Sequence, residues 1–135
     1  VSARIVPDAI ERVGAAIDQA GDDRELVVVS GGLGPTEDDR TRHAAAEWAG
    51  VDLQLDRQVL ERVQRLFDER GYSFTDNNRT QCLFPAGARA LESSIGTADG
   101  FVAADAGIEA RFLPGRCRRV SMVRRESPGG ENRRR

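Results

Sequence analysis

Leu26-Val27-Val28-Val29-Ser30-Gly31-Gly32-Leu33-Gly34-Pro35-Thr36-Glu37-Asp38-Asp39-Arg40-Thr41 passes from an unbroken apolar run through a glycine-rich turn into a polar segment. Four consecutive apolar residues without polar alternation are expected of a strand buried on both faces of a parallel sheet. Thr36, with Asp39 three residues on, is placed to cap a helix that runs to Ala49 and stops at Gly50. A strand, a tight loop and a helix make an α/β unit. Ligands of open α/β sheets bind beyond the carboxyl ends of the strands, where such a loop lies. Glycines let the backbone come close to a ligand, and a helix N-terminus beside them favours an anion, most often phosphate. The plainer reading is a strand-to-helix turn that binds nothing.

The flanks extend the pattern. Pro7 and Asp8 suit a helix start, and Ile10, Val13 and Ile17 recur at helical spacing up to Gly21-Asp22-Asp23. After Gly50, Val51, Leu53 and Leu55 alternate. Asp56 can cap a further helix with the apolar stripe Val59, Leu60, Val63, Leu66 and Phe67, closed by Gly71. Polar residues 75–81 lead to Leu83-Phe84 and the turn Pro85-Ala86-Gly87. Phe101-Val102-Ala103 and residues 108–113 read as two strands joined by Asp105-Ala106-Gly107, a hairpin appended to βα units. Residues 116–135 lack periodicity, contain Ser127-Pro128-Gly129-Gly130, end in an arginine run, and are expected to be disordered.

The chain has 135 residues, enough for one core, and aromatics make up only 5%, so that core must come mainly from Val, Leu, Ile and Ala. No apolar run approaches a membrane span and no N-terminal export segment is present, so a cytoplasmic protein without a membrane partner is expected. Cys82 and Cys117 have neither metal-ligand nor disulfide spacing. All 20 basic residues are arginine, and the net charge is −2. The acidic charge sits in residues 1–115 and the basic charge in 116–135. The acidic part has no basic groove interleaved with aromatics, which argues against nucleic acid.

The absence of lysine excludes a Walker loop, and Glu37 stands where the dinucleotide fingerprint needs glycine. Asp38 and Asp39 should repel a phosphate at this loop unless a divalent cation, magnesium by preference, lies between them. Their simpler role is charge complementarity at a helix start. His43 reads as a partly exposed helix residue and Trp48 as a packing residue. Arg40 and Arg42 read as phosphate contacts or as partners of Glu37 and Glu47 on a solvated helix face.

The run 31–41 resembles the signature loop of the CinA N-terminal domain, a branch of the molybdopterin-binding (MoCF biosynthesis) domain family. Asn77-Asn78-Arg79-Thr80-Gln81 is similar to that branch's second motif, with Thr80 where lysine is common. Pro85-Ala86-Gly87-Ala88, Ile95-Gly96-Thr97-Ala98-Asp99-Gly100-Phe101 and Leu113-Pro114-Gly115 follow in the family's order. The resemblance implies a Rossmann-like three-layer sandwich over residues 1–115 that binds a phosphorylated nucleotide or a pterin, with a homo-oligomer compatible with it. It implies divalent-metal-dependent ADP-ribose pyrophosphatase activity, with Asp39 and Asp38 catalytic and metal-binding. Gly31, Gly32, Gly34 and Thr36 would hold the ligand, with Asn78, Arg79, Gly96 and Thr97 completing the pocket. The family's opening strand and glycine-acid motif are missing ahead of Val1, and Arg116-Cys117-Arg118 replaces its Val-Pro continuation. The alternatives are therefore a molybdopterin-binding or adenylyltransferase domain, or a non-catalytic truncated remnant.

Deleting residues 116–135 should change unfolding stability by less than about 1 kcal/mol, since the segment has little to bury. A larger loss in urea denaturation would mean that the segment packs.

Overall fold

A computed structural model describes residues 3–22, 26–94 and 96–115. The expected tail and Cys117 lie outside the described residues. Helix α1 (Ile10–Gly21) is followed by strand β1 (Leu26–Ser30), helix α2 (Thr41–Ala49), β2 (Leu53–Leu55) and α3 (Arg57–Glu69). Then come the short α4 (Asp76–Arg79), a 3-10 turn at Thr80–Cys82, β3 (Leu83–Pro85), β4 (Arg89–Leu91), β5 (Gly100–Asp105) and β6 (Ile108–Leu113).

Four strands form a mixed sheet in the order β1-β6-β5-β4, and β2 pairs with β3 in a separate antiparallel ribbon. The β5–β6 hairpin turns at Ala106-Gly107 as its sequence predicts, and it enters the sheet through β6, whose Ala110 pairs parallel with Val27 of β1. The parallel pairing decides which strand ends lie together. β1, β6 and β4 all finish at one edge, where the antiparallel β5 begins.

Register also builds the core. Phe101 and Phe112 are cross-strand partners on one face and stack at 4.5 Å, while Phe84 meets Phe101 edge-on at 5.8 Å. Such ring pairs add stabilisation beyond the area they bury. Ile17 of α1, Ala45 of α2, and Val59 and Val63 of α3 close over them. The small side chains Ala44, Ala45 and Ala46 let α2 lie close to its neighbours, and all three are buried. The α3 start is as expected: Asp56 Oδ1 accepts the Val59 N–H at 3.1 Å.

Strand β1 departs from the expectation of burial on both faces. Val27 is buried, yet Leu26 and Val28 are 45% and 52% exposed. Val27 joins the core cluster with Ile17 of α1, while the Leu26 and Val28 side is left about half exposed among the described residues. An apolar run identifies a strand but does not count the layers around it.

Gly100 begins β5 where a β-carbon would stand 2.5 Å from the Phe112 carbonyl oxygen. Gly100→Ala should therefore cost about 1–3 kcal/mol, because backbone inside a sheet cannot yield cheaply. Urea denaturation checks this, and unchanged stability would contradict the packing described.

Candidate functional site

The site grows from the end of β1. Gly31 and Gly32 lie at φ 102° and 68°, a left-handed pair that side chains disfavour. Three hydrogen bonds pin them. The Gly31 N–H donates to the Leu113 carbonyl at 2.9 Å, the Thr41 hydroxyl donates to the Gly31 carbonyl at 2.9 Å, and the Thr41 N–H donates to the Gly32 carbonyl at 3.2 Å. A β-carbon on Gly32 would run into Thr41 Oγ1. Thr41 was not singled out in the sequence, because its partners lie across the turn.

These bonds set the start of α2 at Thr41, with Arg40 as N-cap and no side-chain cap. The expectation that Thr36 caps a helix is corrected: Thr36 and Asp39 close a turn of their own. Asp39 Oδ2 accepts from the Thr36 N–H at 3.1 Å and the Thr36 hydroxyl at 2.6 Å, and the Asp39 N–H donates to the Thr36 carbonyl at 3.0 Å. The residue pair has capping-box chemistry, but the anchoring of Thr41 to Gly31 and Gly32 delays the helix. Gly34 makes room for the turn, since a β-carbon there would stand 2.5 Å from Asp39 Oδ2.

The Asp39 carboxyl feels opposing forces. Partial burial raises its pKa, but the Thr36 hydroxyl, the Thr36 and Gly34 N–H groups and the Arg42 charge outweigh that and hold it below its ordinary 3.8. It is ionised at neutral pH. Asp38 is exposed beside it. Among the described residues no three Asp, Glu, His or Cys side chains gather as a protein cage for a cation would require. Two carboxylates, one with an oxygen already held by Thr36, suit magnesium only in its usual company of waters and ligand phosphate oxygens.

The second motif folds as α4 and the turn after it. Asn78 Oδ1 accepts from the Thr75 N–H at 3.0 Å and the Thr75 hydroxyl at 2.7 Å in a capping box, and Arg79 is exposed at the end of the helix. Gly96 is exposed and Thr97 half-buried in the β4–β5 loop. The Thr97 hydroxyl donates to Gln81 Oε1 at 3.0 Å, joining that loop to the second motif.

Arg42 binds the three regions together. It is 3% exposed, which corrects the expected solvated helix face and its pairing with Glu37 or Glu47. Nη1 donates to the Leu33 carbonyl at 2.6 Å, and Nη2 donates to the Gln81 carbonyl at 3.1 Å and the Asp99 carbonyl at 3.3 Å. The guanidinium lies 5.6 Å over the Phe84 ring, and burial pushes its pKa down to about 10, which leaves it charged. Asp99 is itself buried, its carboxylate bound by Arg62 Nη2 and by the Ser93 N–H at 2.9 Å. Nothing in the sequence assigns Arg42 a buried role or Asp99 a structural one, because their partners are far away in the chain. Burial pushes the Cys82 thiol up to about 11 against the opposing pull of Arg42, so it is not a thiolate nucleophile at neutral pH. His43 is exposed, and Trp48 packs on the core while donating to Asp18 at 2.7 Å.

A glycine turn at the carboxyl edge of a mixed sheet, joined to two polar loops, defines an α/β domain of the kind that receives a small ligand at that edge. The family described as "Probable molybdopterin binding domain" matches residues 1–126, and the chain belongs to it. It is 45% identical over 112 residues to a protein of Symbiobacterium thermophilum named as competence-damage inducible, covering 82% of this chain and 26% of the relative. A CinA-like protein of Citrifermentans bemidjiense is 38% identical over 110 residues, covering 82% of this chain and 27% of the relative. The chain thus spans about a quarter of the length of the curated relatives it matches. The solved structure of the protein CinA, of unknown function, from Thermoplasma acidophilum superposes with a TM-score of 0.70 at 34% identity, covering 80% of this chain and 63% of that one. No helix among the described residues is long and apolar enough to cross a membrane.

The lowered pKa of Asp39 makes a pH prediction. Its stabilising contribution is complete above the unfolded value of 3.8 and is lost as pH falls through the lower folded value. Asp39→Asn should therefore flatten the fall in unfolding stability below that pH. Urea midpoints measured across the acid range check this, and an unchanged slope would mean that the carboxylate is not held as described.

Proposed function

We propose that the domain binds a pyrophosphate-bridged nucleotide at the 31–39 loop and, within the whole protein, hydrolyses it, with ADP-ribose as the representative substrate. The observation that carries this reading is the convergence on Arg42 of the glycine loop, the Gln81 turn and the Asp99 loop at the carboxyl edge of the sheet. That edge is where α/β sheets offer backbone N–H groups and helix starts to phosphates. Asp38 and Asp39 beside such a site favour a phosphate that arrives with a divalent cation.

Hydrolysis needs water to add to one phosphorus of the bridge while the bridging oxygen leaves with the other phosphate, giving AMP and ribose 5-phosphate and releasing a proton to solvent. In this reading the 31–34 backbone orients the bridge. Asp39, fixed by Thr36 and Gly34, keeps an ionised carboxylate beside it. A bound magnesium ion would supply charge neutralisation on the phosphoryl oxygens, held by Asp39 and, directly or through water, by Asp38. Thr97 and Gly96, carried by the loop that Gln81 anchors, would wall the nucleoside side together with Asn78 and Arg79.

The family's description favours a second reading, a molybdopterin ligand. A comparison of ligands separates the two. In the full-length protein, Asp39→Asn should slow magnesium-dependent ADP-ribose hydrolysis by at least about tenfold, or roughly 1.4 kcal/mol in barrier. Asp38→Asn should cost less, and His43→Ala should change the rate little. Full activity in Asp39→Asn, or no hydrolysis at any magnesium concentration, would remove the hydrolase reading. Binding of molybdopterin without ADP-ribose would put the second in its place.

A further inference from the structure

We infer that Arg42 is the positioning residue of this ligand site: a buried cation that shapes the glycine loop from behind and makes it receptive to phosphate without touching the ligand. The inference rests on the nucleotide reading above. Its physical basis is the guanidinium's surroundings. Two nitrogens of one planar fork serve three carbonyls from segments 9, 39 and 57 residues away in the chain. Holding the Leu33 carbonyl inward turns the N–H of the same peptide unit the other way, because carbonyl and N–H oppose each other across a trans peptide. That N–H belongs to Gly34, whose backbone lies against the Asp39 carboxylate and helps to hold its pKa down. One side chain thus sets the orientation of the peptide that fixes the acidic turn.

The charge matters as much as the fork. Among the described residues Arg42 makes no ion pair within salt-bridge distance, and its direct acceptors are carbonyl dipoles, with the Asp99 and Asp39 carboxylates acting on it through space. Nε has no hydrogen-bond partner among the described residues. Positive charge left partly uncompensated in a low-dielectric interior projects further than the same charge at the surface. The guanidinium is bonded to the Leu33 carbonyl of a loop whose exposed residues include the acids Glu37 and Asp38, with the basic Arg40 following them. A lysine would keep the charge, but its single nitrogen cannot occupy both Nη positions.

The test uses the full-length protein, with Arg42→Lys and Arg42→Gln. Calorimetry with magnesium present measures ADP-ribose against adenosine, which lacks phosphate. Arg42→Gln should weaken ADP-ribose at least tenfold and Arg42→Lys about threefold, with adenosine changed less than twofold in both. Equal losses for the two ligands would reduce Arg42 to a general fold staple and overturn the inference. A second arm needs no variant. Adding ADP-ribose to the unaltered protein should slow amide exchange at Gly31–Gly34 together with Gln81 and the residues 96–99, and exchange that slows at the glycine loop alone would also overturn it. Should the unaltered protein bind no phosphorylated probe, the nucleotide reading falls. The positioning role is then decided by whether Arg42→Lys speeds exchange at both loops while α3 stays protected.

Discussion

A single arginine inside the domain determines how the rest is arranged. Burying a guanidinium costs several kcal/mol unless its N–H groups find acceptors. Arg42 meets that demand with main-chain carbonyls from three loops, while the Phe84 ring accepts its face. The loops are therefore held where the arginine needs them. The three alanines that follow Arg42 in α2 are buried as well. The buried Asp99 is held through Arg62 and the Ser93 N–H, so a second polar cluster braces the same loop from the α3 side.

The sheet brings those loops within reach of one another. Because β1 and β6 run parallel, the glycine loop and the Leu113-Pro114-Gly115 turn leave the same edge, and the Gly31 N–H reaches the Leu113 carbonyl. The close approach continues beyond that bond, with Gly115 packed against Gly31. The glycine loop and the end of the described chain thus share one rim.

Features with local causes were legible in the sequence. The α3 cap at Asp56 and the β5–β6 hairpin each depend on residues within a few positions of one another. The glycine-rich turn was legible as well, and with it the order of motifs that leads to the family. The start of α2 was not, although Thr36 and Asp39 were correctly seen as a pair, because the Thr41 anchor to Gly31 and Gly32 is a matter of three-dimensional turn shape. Arg42 was harder still: an arginine in the first turn of a helix looks solvated until its bonds to the carbonyls of Gln81 and Asp99 are seen. Likewise Val27 and Val28 are the same residue type, and only the sheet distinguishes the covered one from the exposed one. The roles of Asn78, Arg79, Gly96 and Thr97 toward a ligand depend on a bound molecule rather than on chain geometry.

The pairing of Val27 with Ala110 has a consequence for how the domain comes into being. Contacts between residues so distant along a chain form slowly, because the loop between them must close before any bond rewards it. Helices α1 to α3 involve local contacts and can form while the chain is still emerging, but the glycine loop has no partner at Leu113 until β6 is made. Its rim is consequently among the last parts to acquire shape during synthesis. A ligand that recognises the finished rim selects chains that have completed their sheet.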